Sequence, residues 1–413
     1  MDVRAASQPI NPHPQRGNPT FVPWLGYEDR FLLEQIDRAG LHLTAKSRLH
    51  EATNGQIALL TRSRGMGLAL APENWRNQLG PGAHHRPQSF AALGHSLRTA
   101  FDPNRDRFDR HALVGYSHAT VDSQIDRRAT LIATPGHVVD DEAVLGRSTD
   151  LQLAEAASNY FFEQRLDEPA PGDEHSLARV LYATIIVTPK DLTQAIIWKL
   201  IRSYAELRVD GYWVWVNGLD FTGPQARNAA LLCLGLEAET DRPVMLSGAR
   251  HLHMAFLAAG LAATSVGPAE ATRFVYPPAA PPAPDEQGGR PRRLPVFHGK
   301  TLYSFGPRKQ GKWAGLLREA FETYECDCGH HEPTRSPSNN AETKRHTTAL
   351  NLRHAGELSV SADPQSWLDL KLAAAQEARR RLGLRQLEPG WRNVGSVPAE
   401  IAAAGSVLNA LTA

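Results

Sequence analysis

The sequence predicts an α/β fold, specifically a (β/α)8 TIM-like barrel with a helical subdomain at its C-terminal end. Short apolar segments alternate with amphipathic segments from about residue 129 to residue 266. The apolar segments lack polar alternation, which is typical of parallel strands covered on both faces. A group of cysteines and histidines follows the last of these strands. The barrel is therefore expected to span residues 21–276, with an appended unit after it.

The first third of the chain has a weaker pattern. Residues 1–20 are polar and rich in Pro and Asn, which predicts a loose lead-in. Two short apolar runs, 57–60 and 67–71, predict strands. Long polar loops are expected over 79–90 and 101–111.

The central part alternates strands and helices with short connections, the pattern of a parallel sheet. The helix over 191–207 places its apolar residues on one face, and Asp191 can cap its N-terminus. A doubly wound open sheet is the alternative, but no glycine fingerprint follows any strand. The predicted strands are 129–134, 183–188, 211–216, 243–248 and 262–266, and the predicted helices are 150–164, 191–207, 225–239 and 251–259.

The remaining chain divides into a linker and a subdomain. Residues 277–295 form a Pro/Ala-rich run that predicts an exposed linker or loop. Residues 296–413 then make the C-terminal subdomain. It is expected to hold a hairpin over 294–305 and helices over 313–323, 346–359 and 363–382.

Composition narrows the class of protein. The formal net charge of +1 gives no global attraction to polyanions, but residues 290–413 carry 18 Lys and Arg against 12 Asp and Glu. Three cysteines in 413 residues do not make a disulfide framework. No apolar run has the length of a signal peptide core or a membrane helix, so a cytoplasmic protein with no membrane partner is expected.

The cysteine and histidine group predicts a structural zinc ion (Zn2+). Cys326, Cys328 and His331 lie close together, and His346 opens a predicted helix. Thiolate and imidazole are the ligands that zinc prefers, and four protein ligands make a closed structural site. His354 and His330 are alternatives for the fourth ligand.

Several segments resemble the tRNA-guanine transglycosylase (queuine/archaeosine tRNA-ribosyltransferase) superfamily. Strand 211–216 leads into Asn-Gly-Leu-Asp-Phe-Thr-Gly, similar to the base-contacting turn of that family, and 131–137 and 243–260 are similar to two further segments. The family's Cys-x-Cys-x-x-Cys motif has a His in place of its third Cys here. The resemblance implies a (β/α)8 barrel with a zinc-binding subdomain after the eighth strand.

The resemblance also implies a site at the carboxyl ends of the strands, with one departure. The family uses two aspartates there, and the matching positions hold Ser265 and Thr134. Asp220, Asp140 and Asp141 are the nearest carboxylates at predicted strand ends, and they are the candidate catalytic residues. A loop or capping role is the alternative for Asp220. The candidate base-binding residues are Thr134, Gly136, His137, Gly218 and Ser265.

Basic side chains in the C-terminal third are candidates for contacts with a nucleic-acid backbone. Two basic clusters are candidates, and their representative residues are Arg308, Lys309, Arg379 and Arg380. Phosphate contacts need only Lys or Arg at loose spacing, so a solvated surface explains the same pattern.

Three functions remain open from the sequence. The first is base exchange at an N-glycosidic bond in tRNA or DNA, acting on a purine-type base. The second is a catalytically inactive barrel that binds nucleic acid, as a homodimer or with a paralogous partner subunit. The third is an unrelated barrel enzyme with a flavin or a phosphorylated substrate.

Overall fold

The structure is a computed structural model, and most of the chain is described in it. The described residues are 13–25, 27–33, 35–36, 41–44, 66–71, 110–137, 149–168, 178–188, 192–216, 223–249, 252–267, 294–305, 312–384 and 397–404.

Eight parallel strands form one curled sheet. They pair in chain order, and the first strand also pairs with the eighth, with Val22 opposite Ser265. The strands are β1 (Thr20–Leu25), β2 (Leu41–Thr44), β3 (Leu68–Ala71), β4 (Leu131–Ala133), β5 (Val180–Val187), β6 (Gly211–Val216), β7 (Val244–Ser247) and β8 (Ala263–Val266).

Alternate residues of the strands face opposite sides, and both sides are apolar. Trp24, Trp213 and Trp215 belong to the cluster inside the curl, where the rings of Trp24 and Trp215 meet edge to face with centroids 5.1 Å apart. Tyr212 and Val214 belong instead to the larger core under the helices. Burial on both faces explains why the strand segments show no polar alternation.

Helices follow the strands and cover the outer face of the sheet. The bounds differ from prediction mainly at the caps: the helix predicted from residue 191 begins at Gln194, and Thr193 caps it by accepting from the Ile196 N–H at 3.3 Å. The helices are α1 (Arg110–Ile125), α2 (Thr149–Glu163), α3 (Gln194–Ala205), α4 (Gly223–Thr240) and α5 (His253–Ala258).

The sequence interpretation missed several of the described elements, among them β1 and α1. The buried face of α1 mixes polar and apolar side chains: Ser117, Thr120, Ser123 and Gln124 are buried beside Leu113, Tyr116 and Val121. The side-chain amide of Gln124 donates to the carbonyl oxygen of Ala133 at 2.8 Å and accepts from the N–H of Ala133 at 2.9 Å. Strand β2 was also missed, and the predicted strand 57–60 lies outside the described residues.

The C-terminal part packs directly on the sheet. It contains the hairpin β9 (Val296–His298) and β10 (Tyr303–Phe305), then α6 (Lys312–Thr323), α7 (Asn340–Ser359) and α8 (Pro364–Arg381). Residues 397–404 are also helical. Leu350 and Ala355 of α7 share one core with Phe21 of β1 and Phe256 of α5. Helix α7 therefore lies beside β1 and α5.

The amino ends of the strands are tied together by polar contacts. Residues 1–20 were predicted to be a loose lead-in, yet His13 is buried and donates to the carbonyl oxygen of Ala178 at 3.1 Å. The buried carboxylate of Glu237 accepts from the N–H groups of Val244 and Ala262 at 2.8 and 2.9 Å. These bonds fix the starts of β7 and β8.

The predicted α/β class is thus confirmed, with a curled parallel sheet and flanking helices. Among the described residues, none of the helices has both the length and the apolar character that crossing a membrane requires.

Candidate functional site

The predicted metal ligands come together between α6 and α7. One donor atom from each of Cys326, Cys328, His331 and His346 lies within 4.8 Å of all the others. Cys326 and His346 are buried, and the other two are half-buried. The four side chains are close enough for one metal ion to contact all of them.

The loop that carries the cysteines is folded by its own backbone. The N–H of Cys328 donates to Sγ of Cys326, and the N–H of His330 donates to Sγ of Cys328, both at 3.4 Å. Gly329 has φ +75°, a left-handed conformation that glycine adopts without a Cβ clash. Such N–H···S bonds orient sulfur ligands and stabilise their anionic form.

The start of α7 positions His346. Asn339 caps the helix by accepting from the N–H of Glu342 at 2.9 Å, and the carboxylate of Glu342 accepts from the N–H of Ser338 at 2.7 Å. The cap at Asn339 and the bond from Glu342 back to Ser338, one residue before the cap, fix where the helix begins. The cap places the fourth donor, two turns into the helix, over the cysteine loop.

The hydrogen bonds of the two histidines fit a metal site. The Nε2–H of His346 donates to the carbonyl oxygen of Phe297, and the Nδ1–H of His331 donates to that of Glu332 at 2.9 Å. Each ring therefore turns its other, unprotonated nitrogen into the cluster, where these two nitrogens are 2.9 Å apart. A backbone carbonyl on the far nitrogen is the usual support of a metal-bound histidine. A cation between the four donors also removes the repulsion between the two lone pairs.

The two thiols are electrostatically distinct. The Cys326 thiol hydrogen-bonds to the Cys328 sulfur, which lowers the pKa of Cys328 and raises the pKa of Cys326. Burial opposes this lowering at Cys328, whereas the backbone N–H of His330, which donates to its sulfur, reinforces it. A thiolate already favoured in the apo protein is the form that binds a metal ion.

Charged and aromatic side chains surround the cluster. Asp327 lies between the cysteines and pairs with Arg353 at 2.8 Å and with Lys300 at 3.3 Å. The ring of Phe321 lies 5.6 Å from that of His331 and 5.8 Å from that of His346. The cluster thus has an apolar wall on one side and a pinned loop on the other.

Only one of the three candidates for a fourth ligand lies near the other donors. His346 belongs to the donor group, and neither His330 nor His354 does. His330 is exposed, and its Nδ1 accepts from the amide of Gln35 at 3.3 Å. His354 is buried two turns further along α7, where its ring contacts Trp367.

Four of the predicted base-binding residues lie at or just beyond the carboxyl ends of strands. Thr134, His137 and Ser265 are all buried. Gly136 is packed so closely that a Cβ would lie 2.5 Å from Cγ2 of Thr184. Burial lowers the pKa of His137 to about 3, so its imidazole is neutral.

Six other predicted residues fall outside the described part of the chain. They are the candidate catalytic residues Asp220, Asp140 and Asp141, the base-pocket residue Gly218, and the backbone contacts Arg308 and Lys309.

The two remaining arginines have different roles. The guanidinium of Arg379 donates to the carbonyl oxygens of Thr301 and Leu302, at 2.6 and 2.5 Å, so it supports the β9–β10 turn. Arg380 is exposed and pairs with Glu377 at 2.7 Å. Arg380 is therefore the better placed of the two for a phosphate contact.

Some contributors to the site were not anticipated from the sequence. The carbonyl of Phe297 leaves no sequence signal, because any residue supplies a carbonyl. Gly329 could have been recognised, since a glycine directly after Cys-x-Cys marks the tight turn that both N–H···S bonds require.

Comparison with known proteins adds no relative: no protein-family model matches the chain, and no curated protein matches it.

Proposed function

We propose that this chain is a (β/α)8 barrel of the transglycosylase type, that a structural zinc ion holds its C-terminal subdomain, and that it binds a purine-type base within nucleic acid. The observation that carries the proposal is the closed group of two thiols and two imidazoles that follows the eighth strand. The pairing of β1 with β8 supports the barrel.

Zinc is the metal that the donor set favours. Two sulfur and two nitrogen donors suit Zn2+ better than the harder Mg2+ or Ca2+, which prefer oxygen ligands. Four protein ligands complete a tetrahedral shell, so the ion would hold the cysteine loop against α7.

The metal proposal is tested by elemental analysis of the purified, untagged protein. About one zinc per chain is expected in the wild type, as in structural four-ligand sites. Cys326→Ser should lose the metal, whereas Cys233→Ala should retain it, because Cys233 lies buried in α4 and outside the cluster. Wild-type protein without zinc, or Cys326→Ser with full zinc, would contradict the proposal.

Nucleic-acid binding is supported by the charge distribution. The C-terminal third has a basic surplus, and Arg380 and Arg381 are exposed at the end of α8. Lysine and arginine contacts to phosphates make affinity fall with salt. Fluorescence anisotropy with a folded tRNA, a duplex DNA and a single-stranded DNA, each at several salt concentrations, would identify the partner. If the protein binds all three no more tightly than it binds a neutral polymer control, nucleic acid is rejected as the partner.

Base exchange requires a catalytic carboxylate, which base binding alone does not. The positions that match the family's aspartates carry the hydroxyls of Thr134 and Ser265, and a hydroxyl does not replace a carboxylate at an oxocarbenium-like centre. Catalysis would then depend on Asp220, Asp140 or Asp141.

A specific contact favours the second candidate function, binding without catalysis. The hydroxyl of Thr134 accepts the backbone N–H of Thr184 at 2.9 Å, so it is occupied within the sheet. An assay for incorporation of labelled guanine into RNA or DNA separates the two versions. Turnover that Asp220→Asn abolishes and Asp241→Asn preserves would establish exchange, while binding without incorporation would support the inactive partner.

A further inference from the structure

We infer that metal binding at the four-ligand cluster fixes the segment that follows β1, so that the metal controls one side of the opening at the carboxyl ends of the strands. This inference rests on the metal centre proposed above. It concerns residues 27–36, which contain none of the ligands.

The strongest link is an ion pair between that segment and α7. Nζ of Lys344 lies 2.6 Å from Oδ1 of Asp29. The side chains are only 16% and 7% exposed, so the pair is largely shielded from water. Lys344 precedes the ligand His346 by two residues within the same helical turn. The bonds that hold His346 therefore also hold the lysine in place.

Two further contacts join the same two regions. The side-chain amide of Gln35 donates to Nδ1 of His330, which directly precedes the ligand His331. The guanidinium of Arg345 lies over the ring of Phe31, 5.0 Å from its centroid. Three contacts thus connect residues 29–35 to residues 330–345, on both sides of the cluster.

The segment follows the carboxyl end of β1, which has few paired residues on the side of β2. Four residue pairs join β1 to β8, but only two join it to β2, at Trp24 and Leu25. Those two residues directly precede the segment. The ring of Trp24 also meets that of Trp215, at the carboxyl end of β6, in an edge-to-face contact. A shift of residues 27–36 would therefore reach the interior of the curled sheet.

Loss of the metal would release this segment by a local route. Without a cation, no metal bond ties His346 to Cys326, Cys328 and His331. The first turns of α7 then lose that anchor, and helix ends are where local opening costs least. Lys344 lies in those turns, so the ion pair with Asp29 opens with them.

Hydrogen exchange measured by mass spectrometry tests the inference on the full chain. Zinc-loaded and chelator-stripped wild-type protein are compared over peptides covering 20–36, 324–346 and 364–381. Stripping should speed exchange in the first two regions and leave α8 unchanged. Acceleration confined to 324–346 would overturn the inference and leave the metal centre intact.

Reciprocal linkage gives a second test that does not need the stripped protein to stay folded. If the metal stabilises the segment, then the segment must strengthen metal binding by the same factor. Lys344→Met and Asp29→Asn should each weaken zinc affinity about fivefold or more, measured by competition with a chelator. The double variant should lose little beyond either single change.

Lys371→Met is the matched control. Lys371 pairs with Glu357 at 2.9 Å, at the opposite end of α7, and its loss should leave zinc affinity unchanged. Equal zinc affinities for wild type, Lys344→Met and Asp29→Asn would overturn the inference. Absence of bound zinc in the wild type would overturn it together with the proposed metal centre, so the two failures are distinguishable.

Discussion

Thr134, just beyond the carboxyl end of β4, and Thr184, in the middle of β5, bind each other twice. The N–H of Thr184 donates to Oγ1 of Thr134 at 2.9 Å, and the hydroxyl of Thr184 donates to the carbonyl oxygen of Thr134 at 2.7 Å. Both side chains are buried. The side chain at position 134, which the sequence resemblance compares with a carboxylate, thus links two strands here.

Thr134→Val tests this link. Valine keeps the shape of threonine but cannot accept the Thr184 N–H, which stays buried. The free energy of unfolding should fall by about 1–3 kcal/mol in urea titrations. Thr323→Val, at an exposed position at the end of α6, serves as the control and should change it by less than about 0.5 kcal/mol. Equal stabilities for the two variants would show that the link contributes nothing.

Glu237 should make stability depend on pH. Burial raises the pKa of Glu237 to about 7 in the folded protein, against the two N–H groups that lower it. The folded state therefore favours the protonated form, so this contribution is present below about pH 4.5 and is lost as the pH rises through about 7. The size of the loss is on the order of 3 kcal/mol.

Glu237→Gln isolates that contribution. Both N–H donors bind the same oxygen, Oε1, so the single carbonyl oxygen of glutamine can accept both. The variant should lose the decline in unfolding free energy between about pH 4.5 and 7. A wild-type profile that is flat across this range, or a variant that keeps the decline, would show that Glu237 does not titrate as expected.

Buried histidine should destabilise the protein in acid. Burial lowers the pKa of His354 to about 3, and in the described part of the chain its Nδ1 has no hydrogen-bond partner. The neutral form is the folded one, so stability is present above about pH 6.5 and is lost as the pH falls towards 3. His354→Leu should reduce this acid loss in thermal melts at about pH 4, relative to wild type. If wild type and His354→Leu lose the same stability in acid, His354 is excluded as a cause of the acid loss.

Gly329 should matter for metal affinity more than for folding. Its φ of +75° would strain any other residue, although a Cβ there meets nothing within 4 Å. Gly329→Ala should therefore weaken zinc affinity about tenfold, through about 1–2 kcal/mol of backbone strain. Gly356→Ala, inside α7, should leave the affinity unchanged and raise stability by about 0.5–1 kcal/mol. Unchanged affinity in Gly329→Ala would mean that the loop does not need this conformation.

Substitutions of Arg379 and Arg380, at the end of α8, should have separate effects: the first on stability and the second on nucleic-acid binding. Arg379→Gln removes donors to two carbonyl oxygens, so it should lower the melting temperature. Arg380→Gln should leave the melting temperature unchanged, weaken nucleic-acid binding and reduce the slope of log affinity against log salt by about 1. An unchanged slope in Arg380→Gln would remove this residue from the binding surface.

The sequence predicted the elements whose signal is local. Segment 211–216 is almost wholly apolar and forms β6, and the spacing of Cys326, Cys328 and His331 was sufficient to find the cluster. Helix α1 was missed because polar residues interrupt the apolar pattern of its buried face. The start of α7 was missed because residues 340–345 are polar and the cap, not periodicity, defines it.

Long-range contacts could not be predicted, for a physical reason. Lys344 and Asp29 are 315 residues apart in the chain, and neither residue type identifies its partner. The same holds for the carbonyl of Phe297 at His346, 49 residues away. Only the folded backbone brings such groups together.

The shared core of α7 and the sheet has a consequence for how the gene could be divided. Leu350, Ala355 and Leu358 pack into the same apolar interior as Phe21 and Phe256. A polypeptide that stops within 277–295 would leave that interior open to water, and the remainder, expressed alone, would expose its matching face. We therefore expect the two pieces to be insoluble apart and to reassemble when co-expressed, as a split protein does.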